Sequence, residues 1–178
     1  MSARIPPGGL RDIGLPAYVM SRAAGRVTGT RPPAIFTTLA RARGLYWGWL
    51  HFAGRLMPFG RLPRRESELV ILRVAHRRGS RYEWAHHALL SRRAGVTDDE
   101  LARLARDEVG DGWSPREAAL ITVADELLRE RDLSDETWTL LRTHLDDREA
   151  IELLLLVGHY DMLATTLGTL RLEPDPPR

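Results

Sequence analysis

The sequence predicts an all-α single domain, and three observations lead to this prediction. Apolar residues recur at helical spacing, most clearly in the segment 64–78, where the pattern predicts an apolar stripe made of Leu69, Val70, Leu72, Val74 and Ala75. Helix-start signals recur along the second half of the chain. The sequence contains no alternating run rich in Val, Ile and Thr, which is the pattern that would indicate a sheet. With 178 residues, the chain is long enough to bury one hydrophobic core.

Gly and Pro divide the first half of the chain into short helices. Residues 1–16 are rich in both and predict an N-terminal arm or irregular lead-in, either wrapped on a neighbour or disordered, ahead of a helical domain over 17–178. Gly44 is expected to break one helix from the next, and Ser80 to serve as an N-cap. Helices are predicted over 16–27, 33–43, 46–57, 64–78 and 80–94.

Capping signals mark the helices of the second half. The segments 97–100 and 114–117 both read as capping boxes, Ser134 begins a third helix, and Asp146 or Asp147 begins a long last one. That last helix contains the most apolar segment, 150–170, but charged residues and a histidine interrupt it. We therefore predict neither a membrane span nor, from the composition of the first residues, a secretory signal, and we expect a cytoplasmic protein.

Composition excludes several kinds of chemistry. The chain has no Cys, which rules out disulfides, thiolate metal sites, iron–sulfur clusters and Cys-dependent redox reactions. All 26 basic residues are Arg, so a lysine Schiff base is also excluded. The net charge is only +2, and the high isoelectric point follows from Arg never titrating. We predict no nucleic-acid partner.

The charges are unevenly distributed along the chain. Residues 61–93 carry nine Arg against three Glu, whereas residues 97–161 carry eighteen acidic residues against seven Arg. We expect these segments to attract each other, within one subunit or between subunits. A basic wall would also favour an anionic small molecule.

The segment 68–87 contains the candidate catalytic residues. Ser80, Glu83 and His87 follow at i, i+3 and i+7 and so line one face of a helix, with Glu83 and His87 one turn apart. A carboxylate beside an imidazole holds its tautomer and raises its basicity, which suits general acid–base catalysis. A turn at Gly79 would bring Glu68 from the preceding helix to the same place. The alternative is an ordinary surface Glu–His pair, worth a few tenths of a kcal/mol.

Three other features allow more than one interpretation. His51 or His159 could join Glu83 and His87 in a metal site, but no His-Glu-x-x-His motif occurs and we predict no metal. On the last helix, His159 or Tyr160 faces a pocket, or both residues pack in the core. The aromatic segment 46–59 is a pocket lid or an oligomer interface.

The same residues resemble a known family. The run 62–75, the element Tyr82-Glu83-Trp84-x-x-His87 and the segment 94–96 are similar to the carboxymuconolactone decarboxylase family, which includes the AhpD-like alkyl hydroperoxidases. The resemblance spans about 31–170, with a core motif over 62–96. It implies an AhpD-like helical bundle that assembles as a homotrimer or homohexamer, with sites walled by neighbouring subunits.

The peroxidase branch of this family uses a Cys-x-x-Cys pair. The resemblance places its Glu and His at Glu68 and His87, and its two cysteines at Ser80 and Glu83. Because neither sulfur is present, thiol peroxidase and disulfide reductase activities are excluded.

The decarboxylase branch instead carries Glu-Trp-x-x-His, which matches Glu83, Trp84 and His87. The resemblance implies a cofactor-free enzyme in which an acid protonates the dienolate left by departing CO2. His87, paired with Glu83, is the candidate acid or base, and Glu68 would tune the ring or relay the proton. Arg73 or Arg81 would hold a substrate carboxylate. Further candidate substrate contacts are Ser80, Tyr82, Trp84 and His159, of which Tyr82 and Trp84 are alternatively core or interface residues.

We therefore predict a cofactor-free enzyme that performs acid–base, decarboxylase-type chemistry on a small anionic or lactone-like substrate. The alternative is a catalytically degenerate family member with a ligand-binding or structural role.

Overall fold

The computed structural model describes residues 2–176, with Thr28 described by its backbone alone, and within that range it contains ten α-helices and no β-strand. The predicted all-α fold is confirmed. The helices are α1 (Leu10–Ile13), α2 (Leu15–Thr28), α3 (Ala34–Leu39), α4 (Arg43–Leu56), α5 (Arg64–Arg77), α6 (Arg81–Arg93), α7 (Asp98–Leu104), α8 (Pro115–Glu130), α9 (Asp135–Arg142) and α10 (Asp147–Leu170).

Helix α5 is the centre of the molecule. Residues 67–75 are buried without interruption, and the helix packs against α6, α8 and α10. A helix surrounded on all sides buries every face, whereas the sequence pattern had predicted one apolar stripe. Its buried stretch includes two charged residues, Glu68 and Arg73, neither of which is accessible to solvent. Buried charges need partners, and those partners determine the chemistry of this region.

The predicted helix starts of the second half are confirmed by their capping bonds. The side chains of Thr97, Ser114, Ser134 and Asp146 each accept a hydrogen bond from a backbone N–H in the first helical turn. Each such cap stabilises its helix by about 1 kcal/mol. The capping residues therefore fix where α7 to α10 begin.

One local prediction is wrong and a second is confirmed only in its position. Gly44 does not end a helix but lies in the first turn of α4, since tertiary packing of Tyr46 outweighs the low helix propensity of one glycine. Ser80 occupies the N-cap position of α6, but its hydroxyl accepts no capping bond. Its ψ of 89° differs from the 155–176° of the four side-chain caps, so the hydroxyl is not directed at the first turn.

The N-terminal segment lies against its own chain. It contains α1 and the start of α2, Ile13 is buried, and the Gly8 N–H donates to the Thr37 carbonyl at 3.0 Å. A Cβ on Gly8 would lie 2.4 Å from Ile13 Cγ2, so this contact requires glycine. The Arg4 N–H also bonds the carbonyl of Leu170 at the end of α10. Met1 and residues 177–178, the ends of the predicted arm and helical domain, lie outside the described residues.

Helix α10 is a core helix. By length and composition it could cross a membrane, yet 56% of its apolar window is buried inside the protein. Leu153, Leu156 and Leu163 pack in the main core, whereas Ile151 and Leu155 remain exposed. Burial against α5 and α8 accounts for most of the apolar character of the helix.

The uneven charges pair within the chain, which confirms one of the two predicted outcomes. Arg65 Nε lies 2.7 Å from Glu117 Oε1, and Arg77 Nη2 lies 2.6 Å from Asp125 Oδ2. Arg78 likewise pairs with Asp161. These arginines of the basic segment are therefore already neutralised by the acidic segment.

Candidate active site

The hairpin of α5 and α6 brings together the two residues that are farthest apart in the predicted catalytic set. Gly79, with φ of 61°, allows the chain to turn between the helices. His87 Nδ1 consequently lies 2.7 Å from Glu68 Oε2. Both side chains are buried, so this bond is shielded from water.

A second carboxylate lies near the other nitrogen of the imidazole ring. Glu83 lies one turn before His87 on α6, and its Oε2 is 3.4 Å from His87 Nε2. Glu68, Glu83 and His87 are 0%, 3% and 5% exposed, respectively. We call these three residues the Glu–His–Glu cluster. The sheltered meeting of an imidazole with two acids is the geometry that the sequence predicted.

The cluster is electrically balanced by one further residue. Arg64 Nη2 lies 2.7 Å from Glu68 Oε1, while the Arg64 side chain itself extends to the surface. Two carboxylates therefore face one guanidinium and one imidazole. A proton on His87 balances the second carboxylate, and an unpaired buried carboxylate is strongly disfavoured.

The electrostatics of His87 agree with this count. Burial alone would lower its pKa, but the negative charges and hydrogen bonds of Glu68 and Glu83 outweigh burial and raise the pKa to about 9. His87 is accordingly an imidazolium at neutral pH. Glu83 Oε1 has no hydrogen-bond partner in the described part of the chain, which leaves one acceptor atom free in the cluster.

Aromatic side chains border the cluster. The Tyr160 ring meets His87 edge-on, with 5.1 Å between centroids, and meets His159 in the same way at 5.2 Å. Burial raises the pKa of Tyr160 well above its usual 10, so the phenol stays protonated. Tyr160 thus contacts both the charged cluster and the neighbouring His159.

Arg73 does not reach the cluster, and its predicted role in holding a substrate carboxylate is not supported. Its Nε donates to Asp125 Oδ1 at 2.7 Å, and its other nitrogens donate to Asp125 and to backbone carbonyls between α7 and α8. Five positions after Glu68, at about 100° per residue, Arg73 points to a different side of α5. It serves to join α5 to α8.

Arg81 is also directed elsewhere. Its side chain is 80% exposed, and Nη1 lies 3.5 Å from Glu173 Oε2. As the first residue of α6 it points outward, so the second predicted carboxylate contact is likewise not supported by its position.

Three further residues were predicted to contact the substrate. Two of them are engaged with other parts of the protein, and the third lies at the start of α6. The Tyr82 hydroxyl accepts from the Ile35 N–H at 3.0 Å and donates to Asp175. Trp84 packs against the smaller core cluster that includes Leu69. These two residues take the core role that the sequence left as an alternative. Ser80 stands one turn before Glu83, nearly buried, and caps nothing.

His159 lines a cavity of about 530 Å³ between α4 and α10. Trp49 stacks on its ring with centroids 6.2 Å apart, and Phe52 meets it edge-on. Burial lowers the pKa of His159 to about 4, so the ring is neutral at pH 7. Part of the aromatic segment 46–59 is thus a pocket wall.

The sequence reasoning missed Arg64. It was detectable, because it stands one helical turn before Glu68 at the spacing of an ion pair. Tyr160 was considered as a pocket residue, but its contact with His87 was not predicted.

The residues considered for a metal do not assemble into one site. His51 is exposed on α4, and His159 faces the apolar cavity. Among residues 2–176, no group of three or more His, Asp or Glu side chains is arranged to hold a metal ion.

Comparison with known proteins places the Glu–His–Glu cluster inside a family match. Residues 43–126 match the carboxymuconolactone decarboxylase family, and this range contains all three cluster residues. No curated protein matches the chain.

Solved structures show the same fold. An uncharacterised peroxidase-related protein from Ralstonia eutropha JMP134, described as an alkylhydroperoxidase AhpD core, has a TM-score of 0.86 at 17% identity, covering 97% of this chain and 92% of its own. A peroxidase-related protein from Silicibacter sp. TM1040 has a TM-score of 0.83 at 14% identity, covering 98% and 94%.

A third structure is a cysteine-to-alanine variant of the debrominase Bmp8 in complex with 2,3,4-tribromopyrrole. It has a TM-score of 0.79 at 15% identity and covers 97% of this chain and 92% of its own. At these identities the likeness is one of fold.

Proposed function

We propose that this chain, whose residues 43–126 belong to the carboxymuconolactone decarboxylase family, is a cofactor-free enzyme that transfers a proton to or from a small organic substrate. One observation carries the proposal. A buried imidazolium, His87, is held between the carboxylates of Glu68 and Glu83 at 2.7 and 3.4 Å. Perturbed, buried acid–base groups of this kind are more common at functional sites than elsewhere.

The proposed chemistry is a decarboxylation completed by proton transfer. The bond between the substrate carbon and its carboxylate breaks, CO2 leaves, and the electron pair remains on the substrate as a dienolate. His87 supplies the proton that this carbon takes up, and water later returns a proton to the ring. Glu68 holds the imidazole and keeps it charged, while Glu83 passes the proton between ring and substrate. General acid catalysis by a positioned group contributes about 10²–10⁴-fold in rate.

The proposed substrate is a small, lactone-like molecule. Arg73 and Arg81 are engaged elsewhere, so a carboxylate clamp made by these arginines has no support. Arg64 is the guanidinium next to the cluster and is partly exposed. An anionic substrate would therefore approach Arg64.

Thiol chemistry is not part of the proposal. The peroxidase-related proteins and the debrominase share the fold, but this chain has Ser80 and Glu83 at the positions predicted for cysteines and contains no Cys. Acid–base chemistry is what the residues present can perform.

We also propose that the chain acts as a homo-oligomer, a trimer or hexamer. Exposed apolar side chains on α2, among them Leu15 and Val19, support such an association.

A second candidate function is a ligand-binding or structural role without catalysis. It is favoured by one observation: both ring nitrogens of His87 already have carboxylate neighbours. In this role the cluster would stabilise the hairpin and perform no turnover.

Decarboxylation in D2O distinguishes the two candidates. We expect wild-type protein to release CO2 from a carboxylated γ-lactone and to place deuterium on the carbon that lost it, as seen by NMR. Glu83→Gln preserves shape and removes the charge, and should slow turnover at least 100-fold. Glu130→Gln, at an exposed site, is the control. Equal rates in Glu83→Gln and wild type would contradict the proposal.

A further inference from the structure

The cavity between α4 and α10 has the properties of a small-molecule site. Its volume of about 530 Å³ lies in the range of about 300–1,000 Å³ that ligand pockets occupy. The described lining residues include no Arg, Asp or Glu. Tyr46, Trp49 and Phe52 from α4 supply aromatic surface, and Met162 on α10 adds a polarizable thioether. Such walls favour an uncharged, planar ligand.

His159 supplies an unpaired polar atom to this apolar wall, as does Nε1 of Trp49. The His159 side chain lines the cavity, is 4% exposed as a residue, and has no hydrogen-bond partner for Nδ1 among residues 2–176. A buried polar atom left unpaired is costly, and a Phe or Leu would pack against Trp49 without that cost. The imidazole is therefore poorly explained by packing alone. Burial lowers its pKa to about 4, so it offers an uncharged ring.

The cavity is open to a ligand at Gly158. This residue lines the cavity and is exposed, and a Cβ built on it would meet no atom within 4 Å. Leu155 and Met162, one helical turn away on either side, are also partly exposed. The helix thus presents its smallest residue where the cavity meets solvent.

We propose that this cavity binds a neutral aromatic molecule that carries one hydroxyl group, with its ring between Trp49 and Phe52 and its hydroxyl on the imidazole of His159. A hydroxyl both donates and accepts, so it matches a neutral imidazole in either tautomer. A carboxylate or ammonium group would enter a cavity without a counter-ion and would be disfavoured. The site goes beyond the proposed acid–base function, because Glu68, Glu83 and His87 are not among the residues that line the cavity.

Isothermal titration calorimetry with 2-naphthol tests the proposal. We expect wild-type protein to bind one 2-naphthol per chain, and to bind 2-naphthoate, which has the same rings and a negative charge, at least tenfold more weakly. His159→Phe keeps an aromatic ring and removes the nitrogens, and should weaken 2-naphthol binding about five- to tenfold.

A pair of glycine substitutions separates filling of the cavity from a general effect on the helices. Gly158→Leu places a side chain in the cavity and should abolish binding. Gly48→Leu adds the same side chain at an exposed, open position of α4 that does not line the cavity, and should leave binding unchanged. Circular dichroism checks that both variants remain helical.

Three results would overturn the proposal: no binding of 2-naphthol by wild-type protein, equal binding by Gly158→Leu, or tighter binding of 2-naphthoate. A second copy seated on the cavity would also prevent 2-naphthol from binding, and the ligand proposal would then be wrong. Glu83→Gln should bind 2-naphthol like wild type, so failure of the catalytic proposal leaves this one standing.

Discussion

His87 Nδ1 and Glu68 Oε2 are 2.7 Å apart in the interior of the α5–α6 hairpin, although nineteen positions separate the two residues. The contact joins the central helix of the fold to the helix that carries Glu83. It couples stability to chemistry, because the same bond that charges the imidazole also holds the hairpin together.

Replacement of Glu68 by Gln should destabilise the protein. The substitution leaves Arg64 and His87 without their shared carboxylate, and removal of one member of a buried ion pair costs about 3–5 kcal/mol. We expect the free energy of unfolding, measured by urea titration, to fall by about that amount. Glu130→Gln, at an exposed site, should change it by less than about 0.5 kcal/mol. A similar, small effect of both variants would show that the buried bond contributes little.

The stability of the protein should fall between about pH 6.5 and pH 9 in a way that depends on His87. Its pKa is raised from 6.5 to about 9 in the folded protein, so in this range the native state binds more protons than the unfolded state. The contribution of His87 is therefore complete below pH 6.5 and is lost as the pH rises through 9. The slope is at most about 1.4 kcal/mol per pH unit.

The control for this pH dependence is the variant His87→Gln, which lacks the titrating imidazole. Urea titrations of both proteins at several values from pH 6 to pH 10 should give the wild type a steeper loss of stability. Parallel curves for the two proteins would contradict the raised pKa.

Arg73→Met should lower stability while sparing the Glu–His–Glu cluster. Arg73 is fully buried and joins α5 to Asp125 on α8, so its loss should cost about 3 kcal/mol. A double-mutant cycle with Asp125→Asn should give strongly non-additive changes in the free energy of unfolding, because the two side chains share one network. Additive changes would mean that the pair is not coupled.

Gly8→Ala should destabilise the packing of the N-terminal segment. The new methyl group would lie 2.4 Å from Ile13 Cγ2 and 2.9 Å from the Thr37 carbonyl oxygen, and such overpacking costs about 1–3 kcal/mol. Gly44→Ala, where a Cβ meets no atom within 4 Å, is the control and should stabilise α4 by up to about 1 kcal/mol. Thermal unfolding distinguishes the two variants, and an unchanged melting temperature for Gly8→Ala would mean that the segment detaches readily.

The helices were largely predictable because their signals are local. The capping boxes at Thr97 and Ser114 involve residues three apart, and both form as predicted. The helix break predicted at Gly44 was wrong, because the unfavourable helix propensity of one glycine is small compared with the effect of tertiary packing. The attachment of residues 2–16 depends on contacts with Thr37 and Leu170, which no local pattern reveals.

The candidate site was predictable only in part. Helical spacing predicted that Glu83 and His87 meet, and a turn at Gly79 predicted the approach of Glu68. The direction of Arg73 depended on the acidic partner, Asp125, that folding brings to it. Spacing along one helix predicts which residues are neighbours on that helix. The direction of a long charged side chain between helices depends instead on where its oppositely charged partner lies.

Heteronuclear NMR titration of the His87 imidazole tests the central claim most directly. The ring resonances, assigned by their absence in His87→Gln, should titrate with a pKa of about 9. In Glu68→Gln and in Glu83→Gln the pKa should fall, because each substitution removes one of the charges that hold the proton. A His87 pKa at or below 6.5 in the wild-type protein would contradict the account.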